Sequence, residues 1–95
     1  MARTRVLVVE DDPSMQDRYK YFFDDAHKDN FAWFLADDGE TALRIVRQTP
    51  VDIVVLDIQL PGMSGLDLLR VVQKDEELRL IPVIVVSAQS KVEER

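Results

Sequence analysis

Three acidic residues stand where two apolar runs end, and their type points to metal and phosphoryl chemistry. Glu10 and Asp11 directly follow the run 6–9, and Asp57 directly follows the β-branched run 53–56. Open α/β sheets bind ligands just beyond the carboxyl ends of their strands. If these two strands are neighbours, the three carboxylates meet in one small site and repel each other unless a proton or a cation neutralises some of them. Ligand sets made only of oxygen favour Mg²⁺, so the sequence predicts a magnesium site there.

The same edge offers groups suited to phosphoryl transfer. A carboxylate is a legitimate phosphoryl acceptor, and the transfer depends mainly on positioning and charge stabilisation, to which a bound metal contributes. Ser87 follows a further apolar run, 82–86. Its hydroxyl would be placed to donate a hydrogen bond to a phosphoryl oxygen. Each feature alone is also typical of a cap or a loop, and the prediction depends on their falling at one sheet edge.

The elements that must position these groups are short strands alternating with helices. Apolar, β-branched or aromatic runs predict four strands, at 6–9, Phe31–Ala36, 53–56 and 82–86. Between them, apolar residues at helical spacing predict three helices, the first over 13–26 with Asp12 as its N-cap, the second around Ala42, Leu43 and Val46, and the third marked by Leu66, Leu69, Val71 and Val72. Alternating strands and helices predict an α/β fold with a parallel sheet.

Two aromatic residues of the second strand have competing interpretations. Trp33 and Phe34 could form a binding platform, but we favour the interpretation that they cover helices on opposite faces of the sheet. His27, near the end of the first helix, is interpreted as a surface capping residue rather than a ligand.

Length and composition narrow the function classes. The chain has 95 residues, 46% of them hydrophobic, which suits one small globular domain. Its formal net charge of −6 argues against binding nucleic acid through a basic face. The absence of cysteine excludes disulfides and thiol chemistry. No apolar run is long enough to span a membrane and no signal peptide is recognised, so a cytoplasmic location is expected.

Four segments together resemble the receiver domain of two-component response regulators. They are Val6-Leu-Val-Val-Glu-Asp-Asp-Pro13, Ala36-Asp-Asp-Gly-Glu-Thr-Ala-Leu43, Asp52-Ile-Val-Val-Leu-Asp-Ile-Gln-Leu-Pro-Gly-Met-Ser-Gly65 and Pro82-Val-Ile-Val-Val-Ser-Ala88. The resemblance covers essentially all 95 residues and implies a flavodoxin-like, doubly wound parallel sheet with strand order 2-1-3-4.

The resemblance also implies a role for each site residue. Asp57 would accept a phosphoryl group from a sensor histidine kinase or a phosphotransfer protein. Mg²⁺ would be held by Glu10, Asp11, Asp57 and the backbone carbonyl of Gln59. Ser87 would be the switch hydroxyl, and the small Ala88 would leave the site open. Such a protein is a signalling switch and not an enzyme in the usual sense.

The chain departs from the family pattern at its C-terminal end. The family continues through a fourth helix, a fifth strand and a fifth helix, with an aromatic switch residue and a phosphoryl-pairing lysine that we do not find here. Lys91 lies only four positions after Ser87 and is not assigned that role. We therefore interpret 1–95 as one C-terminally incomplete receiver domain. The uncharged edge 82–86 then predicts self-association through the fourth strand.

Three other functions were weighed. A haloacid-dehalogenase-like phosphohydrolase would need an acid two residues after Asp57, where Gln59 stands. A nucleotide-binding domain would need a glycine-rich loop after the first strand, where the sequence has acids. A non-phosphorylated interaction or dimerisation module of the same fold is the remaining alternative.

Overall fold

The computed structural model describes residues 3–86. The strands are β1 (Thr4–Val9), β2 (Phe31–Ala36), β3 (Ile53–Asp57) and β4 (Val83–Val86), and the helices are α1 (Pro13–Lys20), α2 (Gly39–Gln48) and α3 (Gly65–Lys74). A π-helical segment, Tyr21–Ala26, continues α1, and a short 3₁₀ turn, Leu78–Leu80, precedes β4. Within the described residues no helix is both long and apolar enough to cross a membrane.

The strands form one parallel sheet in the order β2-β1-β3-β4, which confirms the predicted fold class and strand order. The register places Val9 beside Ala36 on one side and beside Leu56 on the other. The chain therefore leaves β1 and β3 at the same level of the sheet, and this brings Glu10 close to Asp57. In the part of the chain that is described, β4 pairs only with β3, and self-association through its edge stays a prediction.

Side chains of β1 alternate between two apolar layers, as the pleat requires. Leu7 and Val9 belong to the larger core, which α2 and α3 cover. Val6 and Val8 face the other layer, which includes Phe23 from the π-helical segment. These four side chains are almost completely buried. β1 is therefore a firmly packed inner strand, and Glu10 follows directly at its carboxyl end.

The aromatic residues of β2 follow the same alternation. Trp33 stacks on Phe23 with ring centroids 5.2 Å apart, and its indole N–H donates to Asp24 over 2.7 Å. Phe34 packs against the larger core on the opposite face. The prediction that these two residues cover helices on opposite faces is confirmed.

One detail of the predicted helices was wrong. The segment 13–26 is not one α-helix, because its second half widens into a π-helical turn in which the His27 amide donates to the Phe22 carbonyl over 2.9 Å. The wider turn lets Phe22 and Phe23, which are adjacent in sequence, both contact Phe31.

The third predicted helix is present as α3. Leu66, one of the residues that marked it, is 45% exposed. The buried stripe of α3 is formed by Leu68 and Val72, which lie four residues apart.

Candidate functional site

The acidic site is built at the carboxyl ends of β1 and β3. Glu10 still follows the sheet, because its amide donates to the Ala36 carbonyl over 3.0 Å. Asp57 is the last residue of β3. Asp11 follows Glu10 into the connection that leads to α1, and Asp12 caps that helix by accepting from the Met15 amide over 3.3 Å, as predicted. Parallel pairing of β1 with β3 thus brings the acids of two distant segments together.

Glu10, Asp11 and Asp57 form the cluster predicted from the sequence. Each offers a carboxylate oxygen, and these oxygens all lie within 4.8 Å of one another. Glu10 and Asp57 are only 3% and 2% exposed, whereas Asp11 is exposed. Two buried carboxylates this close are unfavourable without a positive charge between them, since burial removes the solvation that normally offsets their repulsion.

The geometry of the cluster suits a small divalent cation. Mg²⁺ binds oxygen at about 2.1 Å in an octahedral arrangement, which puts neighbouring and opposite ligands about 3 to 4.2 Å apart. The carboxylate oxygens of the cluster all lie within 4.8 Å of one another. Because Asp11 is exposed, it has room to adjust by a small movement or to bind through a water molecule. The residues present therefore fit a magnesium ion.

The two oxygens of Asp57 have different surroundings. Oδ1 accepts a hydrogen bond from the Gln59 amide over 3.2 Å. Oδ2 is buried, and within residues 3–86 it has no hydrogen-bond partner. A buried carboxylate oxygen without a partner is costly and is usually retained for a reason. Of the two Asp57 oxygens, Oδ2 is therefore the one that remains available to a metal or to a reaction.

The loop after Asp57 is shaped by two glycines. Gly62 has φ of +71°, which favours glycine. Gly65 packs so closely on the end of β3 that a Cβ there would overlap the Asp57 carbonyl oxygen and lie 2.7 Å from the Ile58 Cα. The Gly65 amide also donates to the Ile58 carbonyl over 2.8 Å. The start of α3 is thereby held against the backbone that carries Asp57.

Tyr19 of α1 lies near the site, although no sequence pattern singled it out for a role there. It stacks on Phe23 with ring centroids 6.4 Å apart and packs on the layer containing Val6 and Val8. The pKa of its phenol is raised, first by burial and then by the negative charges of Glu10 and Asp57. The phenol therefore lies within electrostatic range of the acids, which helical spacing alone did not reveal.

Gln16 is a second residue near the site that no sequence pattern singled out. Its side-chain nitrogen donates to the Glu10 carbonyl over 2.6 Å and to Asp37 Oδ1 over 2.9 Å. Asp37 lies in the connection between β2 and α2, so Gln16 joins two of the connections at this edge of the sheet.

Of the other residues considered for the site, Gln59 lies within the described part of the chain and three lie outside it. Gln59 is exposed, and its backbone N–H donates to Asp57 Oδ1, but the proposed contact of its carbonyl with a metal remains a prediction. Ser87, Ala88 and Lys91 lie outside the described residues. The predicted switch role of Ser87 and the open site beside Ala88 therefore remain predictions.

Comparison with known proteins agrees with this geometry. The family model of the response regulator receiver domain matches residues 6–95. The chemotaxis protein CheY of Pseudomonas aeruginosa is 40% identical over 87 residues, covering 92% of this chain and 68% of the relative. The chemotaxis protein CheY-3 of Vibrio cholerae is 38% identical over 90 residues, covering 95% of this chain and 68% of the relative.

A solved structure extends the similarity to the whole fold. The receiver domain of the sensor histidine kinase PA1611 from Pseudomonas aeruginosa superposes with a TM-score of 0.82 at 26% identity, over 99% of this chain and 75% of that one. In that protein a magnesium ion is coordinated in the active-site cleft.

Proposed function

Because the chain belongs to the response regulator receiver domain family, we propose that it is a phosphoacceptor switch of two-component signalling, with Asp57 as the acceptor. The observation that carries the proposal is the pair of oxygens on Asp57. Oδ1 is held by the Gln59 amide, while Oδ2 is buried beside two other acids and has no hydrogen-bond partner in residues 3–86. One oxygen is fixed, and the other is available for bonding.

The reaction is a transfer between two nucleophiles. A carboxylate oxygen of Asp57 attacks the phosphorus of a phosphohistidine, the new P–O bond forms and the P–N bond to the imidazole breaks. The Gln59 amide keeps the carboxylate oriented during the attack. Glu10 and Asp11, with Asp57 and the Gln59 carbonyl, would hold Mg²⁺. When bound, the ion supplies positive charge that offsets the charges of the three acids and of the incoming phosphoryl group.

The proposed donor is a sensor histidine kinase or a phosphotransfer protein, the usual partners of receiver domains. The proposed location is the cytoplasm. Ser87 would donate its hydroxyl to a phosphoryl oxygen once the group is on Asp57. We do not propose a phosphohydrolase, because the residue two positions after Asp57 is Gln59 and not an acid.

The proposal is tested by covalent labelling with a small phosphodonor. We expect acetyl phosphate and Mg²⁺ to add one phosphoryl group, and mass spectrometry after borohydride reduction should map it to Asp57. Asp57→Asn should abolish the label, since an amide oxygen is a poor nucleophile. The matched control is Asp25→Asn, which removes an exposed acid of the π-helical segment and should leave labelling unchanged. Labelling that persists in Asp57→Asn or maps to another residue would rule out the assignment.

A further inference from the structure

The peptide group between Glu10 and Asp11 joins two of the candidate metal ligands. Its orientation therefore affects the direction in which each of these two side chains leaves the backbone. On its N-terminal side the Glu10 amide is fixed to the Ala36 carbonyl over 3.0 Å. The Glu10 carbonyl, which belongs to the peptide group itself, accepts from the Gln16 side chain over 2.6 Å. A short side-chain hydrogen bond is therefore made to the backbone that carries the acids.

Gln16 makes a second contact with the same nitrogen, to Asp37 Oδ1 over 2.9 Å. A carbonyl and a carboxylate can only accept, which explains why the amide nitrogen of Gln16, and not its oxygen, faces both of them. We call this pair of hydrogen bonds the Gln16 bridge. Gln16 itself is held in α1, where its backbone N–H donates to the Asp12 carbonyl over 2.9 Å.

We propose that Gln16 is a positioning residue for the magnesium site, acting through the Gln16 bridge on the peptide between Glu10 and Asp11. This inference rests on the metal site of the proposed function and adds to it a residue that is not itself a ligand. Ligands held in place before the ion arrives bind it more tightly, because less conformational freedom is lost on binding. Without the bridge, the peptide is free to rotate. Ordering it then lowers the free energy gained when the metal binds.

The test compares Mg²⁺ affinity, measured by calorimetry, in the unchanged protein and in Gln16→Met. Methionine has a similar length and helix propensity but cannot donate. We expect the dissociation constant for Mg²⁺ to rise about 3- to 10-fold, the usual range for one net hydrogen bond. Gln16→Ala also removes the donor but changes the side-chain volume, and we expect it to raise the dissociation constant for Mg²⁺ by a similar factor. Gln73→Met is the matched control, because it makes the same change at an exposed position of α3.

A second measurement separates positioning from general stability. The Asp11 amide belongs to the same peptide group as the Glu10 carbonyl, so its nitrogen resonance should shift in Gln16→Met without any metal. The inference is overturned if both Gln16 variants bind Mg²⁺ within about twofold of the unchanged protein, or if Gln73→Met weakens binding equally. If the unchanged protein binds no Mg²⁺, the metal part of the proposed function fails together with this inference. If it binds Mg²⁺ and is labelled at Asp57 while Gln16→Met binds as tightly, only this inference fails.

Discussion

Replacing Asp57 by asparagine should stabilise the metal-free protein, although it removes the proposed acceptor. The substitution keeps the size of the side chain and deletes one of three negative charges whose oxygens lie within 4.8 Å of one another. At that distance two unit charges repel by about 3.5 kcal/mol with an effective dielectric constant of 20, and by about 0.9 kcal/mol with that of water. The pair formed with buried Glu10 should lie nearer the first value, whereas exposed Asp11 is screened by solvent.

We therefore expect Asp57→Asn to raise the free energy of unfolding by about 1–3 kcal/mol in EDTA. For a domain of this size, each kcal/mol corresponds to about 4–8 °C in Tm. With Mg²⁺ this advantage of the variant should shrink by most of the stabilisation that the metal gives the unchanged protein. A ligand present at 100 times its dissociation constant stabilises the folded state by about 2.7 kcal/mol, and the variant should lose most of this gain together with a ligand charge.

Thermal unfolding followed by circular dichroism, with EDTA and with saturating Mg²⁺, measures both effects in one experiment. Asp25→Asn is the control, because it removes an exposed charge away from the site and should give parallel shifts in the two conditions. The reasoning is refuted if Asp57→Asn lowers Tm in EDTA, or if Mg²⁺ stabilises the variant as much as the unchanged protein.

Two further predictions concern residues around the acids. Glu10 and Asp57 help to raise the pKa of Tyr19, so Mg²⁺ and Asp57→Asn should each lower it. The Tyr19 pKa can be measured by absorbance at alkaline pH in a Tyr21→Phe background, in which Tyr19 is the one remaining tyrosine. A Tyr19 pKa that is the same with and without the metal would contradict the prediction. Gly65→Ala should destabilise by about 1–3 kcal/mol or more by overpacking against the backbone of Asp57 and should weaken Mg²⁺ binding. Gly62→Ala meets no atom within 4 Å and should cost only about 1–2 kcal/mol for its positive φ, with Mg²⁺ affinity retained; equal losses of affinity in the two variants would argue against the packing explanation.

The parts of the molecule that the sequence predicted are those that follow from periodicity and chain breaks. The buried runs that end at Glu10 and Asp57 identified two central strands, and the acids after them identified the site. A parallel sheet places the carboxyl ends of its strands at one edge, and the strand order that makes the first and third strands neighbours came from the resemblance to receiver domains. The Asp12 cap was likewise readable, because its position just before Pro13 is a local signal.

The remaining features depend on distances that no local pattern contains. The Gln16 bridge joins residues 21 positions apart, and a glutamine in the first turns of a helix is ordinarily a solvent-exposed residue. The π-helical turn at Tyr21–Ala26 arises because two adjacent phenylalanines both contact the sheet, a tertiary effect that overrides helical spacing. Leu66 was one of the residues that marked the third helix, and its exposure is set by the face on which α3 packs.

The stacking of Trp33 on Phe23 makes the fluorescence of this tryptophan a probe of one part of the molecule. Trp33 is the only tryptophan in the chain, and its indole is held by the ring beneath it and by the hydrogen bond to Asp24. Both contacts belong to the layer between the sheet and the π-helical segment. Intrinsic emission excited at the red edge of indole absorption should therefore report whether that segment stays docked, and a spectrum that does not change on adding metal says little about the acidic site.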